Sequence, residues 1–150
     1  MKTTLYSFIA ICFVSTQIFA QTQTLENPAA AHTQATQITS MLVDQKYTEA
    51  FEILKKYWPL EGYQIDGLKE TTAKQLPLLE DSFGKLLGYE FVRSETLGTF
   101  GHVEFFVLKY EKNALRLYLT YYNGGNGWLI NSLQWDDRWD YLFLQPLKNK

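Results

Sequence analysis

At Gly88 the hydrophobic period of this chain changes. Before it apolar residues recur at helical spacing; after it they alternate, in four strand-length segments separated by short turns. The segments are Tyr89 to Leu97, His102 to Tyr110, Leu115 to Tyr122 and Trp128 to Trp135. They are joined by Thr99-Phe100-Gly101, Glu111-Lys112-Asn113 and the run Asn123 to Gly127. Connections this short pair consecutive strands antiparallel, because a parallel neighbour needs a long crossover. Upstream, Ile38, Met41 and Leu42 share one helical stripe. After a break at Asp44-Gln45-Lys46, a second stripe runs Ala50, Phe51, Leu54, Tyr57, Trp58 and stops at Pro59. A third helix is expected from Asp66 as N-cap, through Leu68, Leu76, Leu79, Phe83 and Leu86, to Gly88 as its C-terminal glycine, with Pro77 kinking or dividing it. Helices first and strands afterwards predict an α+β domain, its N-terminal helices packed on a curved four-stranded antiparallel meander.

Strand parity predicts which face is buried. In the third strand Leu115, Leu117, Leu119 and Tyr121 oppose Arg116, Tyr118, Thr120 and Tyr122, so the leucine face is the expected core. The second strand is apolar on both sides, and in the fourth Trp128 and Ile130 differ in parity from Leu133 and Trp135. That conflict calls for a bulge near Asn131-Ser132 or burial of both faces. Apolar residues of both parities also predict a cover for the outer face, either the C-terminal run Trp139 to Leu144 or a second subunit packed as a homodimer.

The first twenty residues read as a signal peptide: Lys2 supplies the positive charge, Leu5 to Val14 the short apolar run, and Ala20 the small residue at the cleavage position. Cleavage near Ala20 predicts an exported protein, periplasmic or secreted. It removes Cys12, the only cysteine, so neither a disulfide nor a thiol nucleophile is expected in what remains. A lipoprotein signal at Cys12 is disfavoured by the bulky Ile11 before it. No later segment approaches the length of about 20 apolar residues that a membrane helix needs. Residues 21–32, polar and with Asn27-Pro28 in the middle, read as a flexible leader or a lightly helical approach to the domain, and 33–150 as one domain. Removing Lys2 shifts the net charge from −2 to −3, and the lysines and arginines are scattered, so no nucleic acid partner is expected.

The order of helices followed by a meander, with Gly127-Trp128-Leu129-Ile130 opening the last strand and Asp136-Asp137 following it, resembles the nuclear-transport-factor-2-like, cystatin-like superfamily, in particular small exported bacterial domains of unknown function. The resemblance spans about Thr33 to Asp137 and implies a cone-like fold with a pocket and frequent dimers through the sheet. A strand pair that many members insert before the last helix has only Leu60 to Gln64 available here. No reaction is implied, because that superfamily includes both enzymes and binding domains.

Candidate chemistry is sparse. His102 opens the second strand beside Glu104 on the same face, an arrangement that suits an acid–base pair, set against the simpler reading of an exposed strand-end histidine. His32 in the leader is its only companion, so no metal site and no cofactor are expected. The segment Asp136-Asp137-Arg138-Trp139-Asp140 lacks the alternate spacing and glycine of a calcium loop. The glycine run before Trp128 joins two strands and opens no helix, so a hairpin turn explains it better than phosphate binding. The aromatics are the richest material. Tyr110, Tyr118, Tyr121, Trp128 and Trp135, with His102, are the candidate binding residues for an unknown small molecule or protein, or else core. No catalytic residue is assigned. The expectation is a non-enzymatic exported binding or interaction domain; the alternative is a small isomerase-like or hydrolase-like enzyme with a carboxylate or His102 as base and Tyr118 or Tyr121 as donor.

Overall fold

The computed structural model describes residues 22–143; the expected signal peptide lies outside the described residues. Three helices precede four strands: α1 Pro28–Val43, α2 Tyr47–Tyr57, α3 Gly62–Phe83, β1 Leu86–Leu97, β2 Gly101–Tyr110, β3 Ala114–Asn123, β4 Trp128–Asp136, then a 3-10 turn, Trp139–Phe143. The strands form one antiparallel sheet in the order β1-β2-β3-β4, the meander that the short turns require.

Helix α1 starts five residues before Thr33, so Pro28 to His32 are helical rather than part of a flexible leader. The local chemistry explains this: Asn27 is extended and its side chain accepts from the Ala30 N–H at 2.9 Å, while Pro28, pre-set at helical φ, occupies the first helical position. Helix α3 also starts early, and Asp66 is not its N-cap. The cap is Glu61, whose N–H donates to the Gln64 side chain at 3.2 Å, and Asp66, a turn further in, pairs with Lys55 of α2 at 2.7 Å. Pro77 does not divide the helix. It ends at Gly84, with φ +76°, and not at Gly88, which sits in β1 at a break in register. Leu86 is opposite Tyr110, so β1 begins where α3 was expected to continue.

The helices cover one face of the sheet. On α1 the buried stripe is Ala31, Ala35, Ile38 and Leu42; α2 adds Ala50, Phe51 and Leu54. The sheet supplies Phe106 and Leu108, Leu115, Leu117, Leu119 and Tyr121, and Trp128, Ile130 and Leu133. The leucine face of β3 is therefore the core face. In β4 the parity conflict is resolved by a bulge: Thr120 is opposite Ser132 and Tyr121 opposite Ile130, so Asn131 has no partner and Leu133 returns to the buried side.

The outer face carries the C-terminal turn. Arg116 holds Asp136 through two bonds, Nε at 3.1 Å and Nη2 at 2.5 Å, and lies over the rings of Tyr118 and Tyr141 at 4.9 and 5.6 Å. Arg138 lies over Tyr141 at 3.9 Å, and Arg93 donates to the Leu142 carbonyl. Partial burial pushes the Asp136 carboxyl up, but Arg116 and the Arg138 N–H outweigh it and hold the group below the usual carboxylate range. Of the two covers expected for this face, the tail therefore supplies one over its Arg116 end.

Leu117 is fully buried in the core between the helices and the sheet, whereas Leu78 on α3 is 64% exposed. Leu117→Ala is expected to lower unfolding free energy by about 2–5 kcal/mol. Leu78→Ala, measured in the same urea titration, is expected to stay within about 0.5 kcal/mol of the parent.

Candidate functional site

Strand alternation places His102 and Glu104 on the same side of β2 as Phe106 and Leu108, in the layer otherwise filled by leucine and aromatic side chains. Glu104 is 1% exposed and His102 6% exposed, so His102 is not the exposed strand-end histidine of the simpler expectation. A carboxylate there needs partners, because burial strips its hydration. Two imidazoles provide them. His102 Nε2 lies 2.7 Å from Glu104 Oε1, and His32 Nδ1 of α1 lies 2.8 Å from Oε2. The chain continues to Thr96 of β1, whose Oγ1 is 3.0 Å from His102 Nδ1.

Aromatic rings enclose the relay. His102 packs edge-on against Trp128 at 5.9 Å and tilted against Tyr121 at 6.2 Å, while His32 meets Phe91 at 4.6 Å. Tyr121 is not hydrogen-bonded to His102; its hydroxyl donates to the Ala31 carbonyl at 3.2 Å, and burial, with the Glu104 charge adding to it, raises its pKa far above the usual tyrosine range. His32, expected in a leader without a partner, is thus part of the polar centre. Its partner lies 72 residues away, so only the Asn27-Pro28 helix start hinted that it belonged to the domain. Among the described residues no group of three metal-ligand side chains is arranged to hold an ion.

Tyr110, Tyr118 and Trp135 do not join this cluster. Tyr110 is at the far end of β2, packed edge-on to Phe83 at 5.7 Å, with its pKa pushed up to about 12 by burial, then by Tyr47 and Glu80. Tyr118 is on the outer face under Arg116, its hydroxyl donating to Gln134 at 2.6 Å. Trp128 and Trp135 pack into the core layer, Trp135 only partly buried.

A separate open cleft of about 710 Å³ lies where β1, β2 and β3 meet the β1–β2 turn. Register puts Glu95, Val103 and Thr120 in one outer row and Leu97, Gly101 and Tyr122 in the next. Leu97, Phe100 and Tyr122 are 62%, 47% and 50% exposed. Polar groups come from the bulge: Asn131 reaches the cleft and donates to Thr120 Oγ1 at 3.2 Å, and that hydroxyl also contacts Ser132 at 2.7 Å. The turn is anchored, since the Asn123 N–H donates to the Phe100 carbonyl at 2.8 Å. His102, Thr96 and Tyr121 contribute to the lining, but by parity their side chains turn to the core. Exposed Leu97 and Phe100 were not among the candidate residues; their signal was apolar character beside turn glycines.

The fold and the two features define the protein as an α+β domain with a polar relay in its core and an apolar cleft on its outer sheet face. No protein-family model matches the chain, and no curated protein and no solved structure matches it.

Glu104→Ala leaves two imidazoles facing a void, and a loss of about 3–5 kcal/mol in unfolding free energy is expected. The exposed Glu90–Lys109 pair at 3.2 Å sets the contrast, with Glu90→Ala costing under about 1 kcal/mol. Equal losses from the two substitutions in urea denaturation would contradict the reading of Glu104. For Tyr110 the neutral form is favoured in the folded state, so its contribution is complete below pH about 10 and disappears as pH rises through about 12. Tyrosinate absorbance of Tyr110→Phe should lack a late-titrating component that the parent chain shows.

Proposed function

We propose that this chain is an exported, non-enzymatic binding domain, a divergent relative of the nuclear-transport-factor-2-like group, whose ligand is a small, mainly apolar molecule held in the outer cleft. One observation carries this reading. The groups suited to acid–base chemistry are turned inward and bonded to one another, whereas Leu97, Phe100 and Tyr122 converge, exposed, on an open cleft. A volume of about 710 Å³ lies within the range of small-molecule sites. Asn131, Thr120 and Tyr122 offer a few fixed polar contacts in an otherwise apolar wall, which suits a flat ring or short acyl body with one hydrogen-bonding group. The element order supports the superfamily relationship, and the Lys2 charge, apolar run and Ala20 support export. The catalytic alternative has weaker support: the Tyr121 hydroxyl is committed to the Ala31 carbonyl, and the His102 ring is buried against Trp128.

Anilinonaphthalene sulfonate, an apolar ring with a polar end, is the probe. The folded chain is expected to bind it saturably at one site, and Phe100→Ala with Tyr122→Ala to weaken it by about tenfold. Tyr63→Ala, on α3 and 75% exposed, is expected to change nothing. Binding that the double substitution leaves intact would overturn the proposal. So would a chain that excludes the probe and sediments as a dimer, because a second copy would then occupy the cleft.

A further inference from the structure

The relay at Glu104 is buried at its centre and open at both ends. His102 Nδ1 meets the hydroxyl of Thr96, an exposed residue. At the other end the His32 side chain is 44% exposed, and its Nε2 bonds to no described residue. Each oxygen of Glu104 faces one ring nitrogen, so both of those nitrogens carry hydrogen when the carboxyl is ionised. The outer nitrogens are the ones that can change. Thr96 Oγ1 can donate to His102 Nδ1 or accept from it, and His32 Nε2 can take a proton from water without breaking any bond of the relay.

With both rings neutral the relay is an anion, and with one imidazolium it is neutral. No other group nearby sets that balance. His32 is the one ionisable side chain of α1. On β1, Ser94 and Thr96 share this face with Phe91, while Glu90, Arg93 and Glu95 are opposite Val107, Phe105 and Val103 on the outer face. On β3, Leu119 is opposite Glu104 and Tyr121 opposite His102, and β4 brings Trp128. Tyr121 donates its hydroxyl to the Ala31 carbonyl, and burial holds it neutral. Among the described residues both ion-pair partners of Glu104 are histidines. A charge in an apolar layer is costly unless it is paired, so the neutral sum is the favoured state. An imidazolium at His102 would have a side chain only 3% exposed, whereas one at His32 keeps its Nε2–H hydrated.

We infer that the relay is a proton-operated latch on α1: a proton held by His32 balances Glu104 and seats the first turn of the helix on the sheet. Loss of that proton leaves a buried carboxylate bonded to two neutral rings, and the turn loosens. His102 stays neutral in both states, with hydrogen on Nε2 and with Nδ1 accepting from Thr96. Histidine changes charge across the range from about pH 5 to 8, so the latch holds on the acid side and slackens on the alkaline side. It is independent of the outer cleft and of any ligand there.

The test is nuclear magnetic resonance of the full chain from about pH 5 to about pH 9, reading the ring nitrogens of both histidines and hydrogen exchange of the Ala31 to Ala35 amides. His32 is expected to pass from two protonated nitrogens to Nδ1–H alone, with His102 remaining Nε2–H throughout. Protection of the amides, corrected for intrinsic exchange, is expected to fall about tenfold over the same range, the difference between a charge-assisted and a neutral bond. His32→Asn keeps a donor but cannot titrate, and is expected to make that protection independent of pH. Where the variant fails to fold, the parent's ring and amide signals decide alone. A His32 ring that stays neutral throughout, a charge residing on His102, equal amide protection at both ends of the range, or a pH dependence that survives His32→Asn would each overturn the inference.

Discussion

Glu104, 1% exposed, sits in the apolar layer between the helices and the sheet. Both of its oxygens are occupied, one by an imidazole from its own strand and one by an imidazole from α1. Hydrophobic burial alone would let α1 slide or rotate over the leucines, since apolar contact is not directional. The His32 bond is directional. It fixes α1 against β2 at one register, with Ala31 and Ala35, both fully buried, allowing the helix backbone close to the sheet. The Tyr121 hydroxyl on the Ala31 carbonyl adds a second tie one residue away. These two polar contacts tie the helix layer to the sheet inside an apolar interface, and a buried carboxylate that lost the His32 bond would be costly to retain.

The outer face is divided by a different physics. At its Arg116 end, guanidinium groups stack on Tyr118 and Tyr141, and the 3-10 turn covers the strands. Two residues along β1 from Arg93, which bonds the Leu142 carbonyl, Glu95 enters the cleft lining, and beyond it the face is open among the described residues. Stacked cations thus shield part of an apolar surface, while the remainder keeps Leu97, Phe100 and Tyr122 in contact with solvent. A sheet with apolar residues on both parities needs such a division.

Much of this was legible in the sequence. The alternation in Leu115 to Tyr122 identified the core face directly, and the parity conflict between Ile130 and Leu133 located the bulge that Asn131 provides. Turn lengths gave the meander. Helix ends were less legible where two signals competed. Asp66 has the chemistry of a cap, but a Glu61–Gln64 pair one turn earlier wins because it also satisfies the exposed N–H groups after Pro59. Gly88 and Gly84 both suit a helix end, and pairing of Leu86 with Tyr110 decides in favour of Gly84. Residues 21–32 were read as a leader ahead of the domain although Asn27 and Pro28 within them cap and open α1. That misreading placed His32 outside the domain. The relay depends on a contact across 72 residues, which no local pattern encodes.

The relay also bears on what α1 presents elsewhere. His32 and Gln34 are two positions apart, about 200° around a helix, so a helix rotated to direct His32 at Glu104 turns Gln34 toward the opposite flank, where a groove lined in part by Lys56 lies. Residues 31 and 35 lie on the buried stripe between them. A polar group in the core therefore sets the orientation of a polar group in a surface groove, through one rigid turn of helix. Weakening the Glu104 contact should loosen that orientation even where the chain remains folded, because the alanine stripe, being small and smooth, resists translation of the helix less than a larger interdigitated stripe would.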